Sequence, residues 1–255
     1  MYEFRVKLAG VPALIRCRFE QNRTFFRDFL SEEDPRFCVQ PTDADFERII
    51  SDFKRARSTD LGLFLPKTEV KVENLAIHSL LAEKLVAENV LLMHGSAVRS
   101  DGEAIAFTAK SGTGKSTHTR LWRETFGDRV VMINDDKPLL RIEEDRVTVC
   151  GSPWRGKHRL GSNISAPLKA IVKLERAPVN RIGPMERADA FQLLTGHAFM
   201  SNDPPTAMRI IGMEKRLLDM TDFYVLGCNT DPEAARVARD GIFGPDEDIT
   251  DIKNQ

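Results

Sequence analysis

Nine consecutive residues, Ala109, Lys110, Ser111, Gly112, Thr113, Gly114, Lys115, Ser116 and Thr117, have the types and spacing of a phosphate cradle. The glycines allow a tight turn in which several backbone N–H groups point inward at anionic oxygens. The order is that of a Walker A loop, with alanine in the first glycine position. The apolar run AIAFT precedes it, and an amphipathic stretch over 115–126 follows. The loop therefore opens a helix, whose unpaired N–H groups and positive dipole end add to the anion site. In such a frame Lys115 reaches the β- and γ-phosphates and the Ser116 hydroxyl ligates Mg²⁺. The chemistry this predicts is binding of a nucleoside triphosphate, taken as ATP, with Mg²⁺.

A triphosphate site also needs a strand that presents a carboxylate. VVMINDD supplies one: Val130–Ile133 is a buried run with Asp135 and Asp136 at its C-terminal end. Two adjacent acids suggest divided labour, one carboxylate holding the metal and the other accepting a proton from an attacking hydroxyl. Either aspartate fits the base by residue type. Ser116 and Asp136 are the candidate metal ligands. Taken alone, NDDKP reads equally well as a solvated turn, because Asn, Asp and Pro all favour turns.

A third feature stands upstream, where His94–Gly95 closes a short apolar strand. The succession MHGSAV, AKSGTGKST, INDD resembles the HPr kinase/phosphorylase family, which shares its P-loop core with the ATP-dependent phosphoenolpyruvate carboxykinases. NDDKPLL, CGSPWRGK and PLKAIVKLER look like the HPr-kinase-related proteins of bacteria that are not themselves HPr kinases. The resemblance spans about residues 74–176. It implies an ATP- and Mg²⁺-dependent transfer of a phosphoryl group to a hydroxyl, such as a serine, of a protein, peptide or small molecule. It also implies that His94 sits near the transferred phosphate, with Lys115, Asp135 and Asp136 completing the catalytic set. HPr kinases carry a Glu-bearing Arg-Gly motif after the aspartates, which drives the reverse reaction. The corresponding stretch here, Gly151–Lys157, has no acid. The resemblance therefore does not extend to an HPr kinase proper. Arg155 and Lys157 could instead clamp phosphates or an anionic substrate, although the Pro–Trp pair in the same stretch also suits a packed turn.

These residues need elements to position them. The expected fold is α/β: a P-loop kinase core of HPr kinase/phosphoenolpyruvate carboxykinase type with a mixed sheet, over 73–244. A small α/β lobe over 1–72, either separate from the core or integral to it, precedes it, and an acidic flexible tail follows over 245–255. Strands are expected over 2–19 (broken at Gly10–Pro12), 90–93, 96–99, 104–108, 130–133, 138–142, 146–150, 170–175 and 223–228. Helices are expected over 43–57, 74–87, 115–126, 187–196, 206–219 and 232–239. Ser58–Pro66 reads as a loop or short strand. Trp122 reads as core rather than as a platform for a base. Asn163, Arg176 and Arg181 could approach a substrate or serve as surface and cap. His197 reads as a loop residue without specific chemistry.

Composition narrows the partners. The net charge of −1 gives no basic field for nucleic acid or an anionic membrane. The four cysteines show no CxxC spacing, so no zinc or dithiol site is expected. The N-terminus lacks an apolar leader segment, and no run is long enough to span a bilayer. The expected location is the cytoplasm. A non-catalytic ATP-binding sensor or scaffold is the alternative function; the paired aspartates argue against it, because a binder needs no base.

Overall fold

The computed structural model of the chain describes residues 1–58, 68–110 and 112–245. The expectations for 59–66, for Ser111 and for the acidic tail beyond 245 lie outside the described residues. The chain divides into two units, Met1–Glu88 and Asn89–Gln255.

In the first unit, the apolar alternation of the opening residues makes a hairpin of β1 (Tyr2–Leu8) and β2 (Val11–Cys17). Ala9 and Gly10, at φ 48° and 80°, turn the chain between them. After the short α1 (Gln21–Phe25), β3 (Phe37–Val39) joins parallel to β2. Helix α2 (Asp43–Ser58) begins where Asp45 N–H donates to Thr42 Oγ1 at 3.4 Å and Thr42 N–H donates to Asp45 Oδ2 at 2.9 Å, a reciprocal cap. Phe46, Ile49, Ile50 and Phe53 pack on Val72 and Ala76 of α3 (Glu69–Val86). This helix moves the boundary from the expected 72/73 to 88/89. The fully buried Glu73 carboxylate accepts from Arg18 N–H (2.6 Å), Phe19 N–H (3.1 Å) and Asn22 Nδ2 (2.8 Å), so α3 belongs to the N-terminal unit.

The second unit runs through β4 (Val90–Leu92), β5 (Ser96–Ser100), β6 (Glu103–Thr108), α4 (Lys115–Phe126), β7 (Val130–Asn134), β8 (Leu139–Ile142), β9 (Val147–Cys150), β10 (Ser165–Arg176), β11 (Arg181–Pro184), α5 (Arg187–His197), α6 (Pro204–Met220), β12 (Asp222–Cys228) and α7 (Glu233–Phe243). Its sheet is mixed. Six strands run in the order β7-β5-β6-β10-β12-β11. Strands β6, β10 and β12 are parallel, while β5 is antiparallel to both β6 and β7. The C-terminal ends of β6, β7, β10 and β12 therefore lie at one end of the sheet. The first residues of β10 leave this surface to pair antiparallel with β9, which continues to β8 and β4 and curls the sheet. Strand β10 is longer than expected, starting at Ser165 rather than 170, because it serves both surfaces. Strand β11 was not expected at all; its sequence RIGP has no apolar alternation to reveal it.

One face of the sheet is covered by α4 and α7. Trp122, Leu121 and Phe126 pack there on Phe107, Val172 and Ala235. Trp122 is fully buried, a core residue as its sequence suggested. Asp203 caps α6 by accepting from Thr206 N–H at 3.0 Å, with Pro204 and Pro205 in its first turn. No described helix is long and apolar enough to cross a membrane.

Candidate functional site

The three sequence features are far apart in the chain and meet because β5 pairs with two strands. Ser96 stands opposite Phe107 of β6, and Ala97 stands opposite Asn134 of β7. The start of β5, preceded by His94–Gly95, thus lies between the end of β6 and the end of β7. Main-chain bonds fasten the corner to the aspartate turn. Gly95 N–H donates to Asp136 O at 2.9 Å, and Met93 N–H donates to Pro138 O at 3.1 Å. Ser96 Oγ donates to Asp135 O at 3.0 Å, and Thr108 Oγ1 donates to His94 O at 3.1 Å.

The glycine-rich loop leaves β6 and enters α4 without a side-chain cap, so the first N–H groups of α4 are not spent on one. Gly112 (φ 77°) and Gly114 (φ 129°) occupy backbone conformations that other residues rarely adopt. Arg176, at the end of β10, holds the loop from the side: Nη2 donates to Gly112 O at 2.7 Å and Nε to Thr113 O at 3.4 Å. The sequence left Arg176 between substrate contact and cap; in the structure it fastens the loop. Lys115 Nζ donates to Ala109 O at 3.2 Å, and the Ser116 side of the first helical turn is exposed.

The two aspartates have different surroundings. Asp135 is only 7% exposed, and both of its oxygens are engaged. Gly156 N–H donates to Oδ1 at 2.7 Å and Leu160 N–H donates to Oδ2 at 3.2 Å. It anchors the loop that carries Arg155 and Lys157, of which Arg155 is half-buried and Lys157 exposed. Pro153 and Trp154 in the same loop are buried, so the stretch is also the packed turn that the sequence allowed.

Asp136 faces the other features. Its Oδ1 lies 3.4 Å from His94 Nε2 and its Oδ2 lies 3.8 Å from Lys137 Nζ. Burial pushes its pKa up, but the His94 hydrogen bond, Lys137 and Lys115 outweigh this and hold the carboxyl below its usual range. Burial in turn lowers the Lys115 ammonium; the Asp136 charge opposes this shift and Lys137 adds to it. Lys115 and Asp136 thus feel each other across the gap between β6 and β7. His94, Lys115 and Asp136 come together, and Asp135 stands behind them.

Two residues that the sequence reading passed over set this turn. Asn134 is fully buried. Its Oδ1 accepts from Asp136 N–H (2.8 Å) and Lys137 N–H (2.6 Å), and its Nδ2 donates to Ser152 O and Oγ, both at 3.1 Å. Ser152 Oγ donates to Lys137 O at 2.6 Å. An Asx turn was legible in NDDKP, whereas the Ser152 partner was not. His197, expected in a loop without specific chemistry, also borders the site. It ends α5 rather than sitting in a loop, and its ring stacks on His94 with centroids 6.3 Å apart. Its carbonyl accepts His94 N–H at 2.7 Å.

The residues present suit Mg²⁺. Ser116 and Asp136 offer hard oxygen donors, and Asp136 stays ionised at neutral pH. Among the described residues no group of three or more His, Cys, Asp or Glu side chains forms a protein-only metal cage.

No family model matches the chain, and no curated protein matches it. Among solved structures, the chain is similar to the HPr(Ser) kinase/phosphatase from Coxiella burnetii. The identity is 13% and the TM-score 0.28, over 49% of this chain and 96% of that one. A likeness this distant carries neither an activity nor a residue role across.

Proposed function

We propose that the chain is an ATP- and Mg²⁺-dependent phosphotransferase that moves the γ-phosphoryl group to a hydroxyl, such as that of a serine in a protein or peptide, or of a small molecule. The observation that carries this reading is the company of Asp136. An ionised carboxylate beside His94 and within electrostatic reach of Lys115 stands next to a glycine-rich strand-to-helix loop. A phosphate-binding scaffold alone has no use for such a group.

Lys115 and the N–H groups of the loop and of α4 would hold the triphosphate. Ser116 would hold Mg²⁺ directly and Asp136 through a coordinated water, which leaves the carboxylate free to accept a proton; the metal would supply charge neutralisation at the phosphate oxygens. Asp136 is the better-placed base for the acceptor hydroxyl, since both oxygens of Asp135 already accept backbone N–H groups. Its low proton affinity is no obstacle, because a loose phosphoryl-transfer transition state asks little of a base beyond orientation. His94 and Asn134 are positioning residues for Asp136. Arg155 and Lys157, on the loop that Asp135 anchors, are candidate contacts for an anionic acceptor.

The test is ADP formation from Mg²⁺–ATP in the presence of serine- and threonine-containing peptides and polyhydroxylated small molecules, with Lys115→Ala and Asp136→Asn alongside. Acceptor-dependent turnover that disappears in both variants is expected. Turnover that survives Lys115→Ala would sink the mechanism.

A further inference from the structure

The glycine-rich loop brings one lysine to the site, and the aspartate turn brings a second. Lys137 follows Asp136 directly, and its backbone is fixed on both sides. Its N–H donates to Asn134 Oδ1 at 2.6 Å, and its carbonyl accepts from Ser152 Oγ at 2.6 Å. The neighbouring carbonyls are engaged as well: Asp136 O accepts from Gly95 N–H at 2.9 Å, and Pro138 O accepts from Met93 N–H at 3.1 Å. The proline that follows narrows the backbone of Lys137 further. A lysine that only solvates a turn needs no such fixing.

The ammonium at the end of this fixed stem is little used. A lysine carries three donors. Among the described residues Lys137 Nζ makes no hydrogen bond, and its one ion pair is with Asp136 Oδ2 at 3.8 Å. A charge-assisted hydrogen bond would be roughly 2.7–2.9 Å. Lys115 spends only one donor, on Ala109 O at 3.2 Å. Burial lowers the Lys115 ammonium, Asp136 resists this and Lys137 adds to it, so the three charges share one space. Two ammonium groups thus face the single carboxylate of Asp136, because Asp135 is committed to Gly156 and Leu160 N–H. Like charges held this close repel, and an anion between them offsets the repulsion.

We propose that Lys137 is a catalytic residue whose ammonium contacts the oxygens of the transferred phosphoryl group from the β7 side, with Lys115 on the β6 side. The role rests on the reading of Ala109–Thr117 as a triphosphate loop in a kinase. In the transfer, the bond from the γ-phosphorus to the β–γ bridging oxygen breaks and leaves ADP. The bond from the γ-phosphorus to the acceptor oxygen forms, and the acceptor's proton passes to Asp136. Negative charge spreads over the three equatorial oxygens in the transition state. Lys115 enters from the start of α4 and Lys137 from the turn after β7, so the two cations flank those oxygens. The flexible four-carbon stem lets the ammonium move from Asp136 to the phosphoryl group by a rotamer change. The same move leaves Asp136 Oδ2 open to the acceptor hydroxyl.

Calorimetric titration of the full chain with Mg²⁺–ADP and with the Mg²⁺ complex of the non-hydrolysable β,γ-imido analogue of ATP reads the γ-phosphate without an acceptor. Lys137→Met keeps the stem and removes the charge. It should weaken the analogue about tenfold and leave ADP within about twofold of the parent, and Lys137→Arg should return the analogue to within about threefold. In acceptor-dependent ADP formation, Lys137→Met should lower kcat about a hundredfold, with Lys137→Arg recovering about a tenth of the parent rate or more. A parallel loss of ADP and analogue in Lys137→Met is the mark of a residue that only balances Asp136, and it overturns the proposal. So does a Lys137→Met chain that binds the analogue as tightly as the parent does. If the parent binds neither ligand, or Lys115→Ala binds both unchanged, the triphosphate-loop reading itself fails and the role of Lys137 fails with it.

Discussion

Asp135 and Asp136 are neighbours in the chain and opposites in the fold: Asp135 accepts two backbone N–H groups from residues 156 and 160, whereas Asp136 meets the His94 ring. Successive residues after a strand point to different sides, and here the two sides are a structural loop and the candidate reaction site. Where the sequence led us to expect two carboxylates sharing the chemistry, one is an anchor and the other faces the candidate site.

This difference separates two substitutions. Asp135→Asn replaces one acceptor oxygen by an NH₂ facing a backbone N–H, so it should destabilise the chain by about 1–3 kcal/mol. Asp136→Asn should cost less stability and remove phosphoryl transfer. Thermal melts and ADP release on the two variants check this. Equal melting temperatures with equal loss of transfer would contradict the assignment.

Gly95 tests the corner that carries His94. A Cβ added there would lie 2.9 Å from the Phe107 carbonyl oxygen on the adjacent strand, so main chain must move to admit it. Gly95→Ala should displace His94 from Asp136 and lower kcat by about tenfold or more, with ATP affinity within about twofold of the parent. A parallel loss of ATP binding would show that the corner supports the phosphate loop instead.

Much of this was legible in the sequence. The loop, the helix after it and the strand before Asp135 follow from glycine placement and apolar runs. The start of α2 follows from Thr42, a capping residue type ahead of an amphipathic run; the reciprocal bond from Thr42 N–H to Asp45 is seen only in the structure. What was not legible depends on pairing across the sheet. Nothing local to Asp135 says that Gly156 and Leu160 will reach it. His197 gained its place beside His94 only through the packing of α5 at the end of β4, where Phe199 N–H donates to Leu92 O at 2.8 Å. The tie between α3 and residues 18–22 was not legible either, because Glu73, a charged residue in a helix, gave no sign of its buried bonds there.

His118 makes stability depend on acid. The unfolded ring takes up its proton near pH 6.5, the folded ring only near 4. The depressed folded value means that the contribution is complete above about pH 6.5 and is lost as pH falls toward 4, by about 3 kcal/mol in all. Chemical denaturation of Trp122→Phe between pH 7 and 4.5 should show this slope, and adding His118→Phe should remove it. An unchanged slope would contradict the neutral, buried ring.

Glu214 acts in the opposite direction. It is fully buried between α5 and α6, where Thr195 Oγ1 lies 3.2 Å from Oε2 and Oε1 has no partner. Burial raises its pKa above the usual 4.5. A carboxyl raised on folding contributes stability in full below its unfolded value and loses it as pH rises through the folded one. Glu214→Gln should therefore melt higher than the parent at pH 8, by about 1–3 kcal/mol of stability, with the gap closing near pH 4. A gap that does not change with pH would rule out a buried ionisation.

The central claim is that Lys115 and Asp136 serve one reaction on a triphosphate. Its most direct test is ADP formation from Mg²⁺–ATP with hydroxyl acceptors, measured for the parent, Lys115→Ala, Asp135→Asn and Asp136→Asn under identical conditions. Loss of at least a hundredfold is predicted in Lys115→Ala and Asp136→Asn, with activity retained in whatever fraction of Asp135→Asn stays folded. Acceptor-dependent turnover that survives in Lys115→Ala, or that tracks Asp135 and not Asp136, would contradict it.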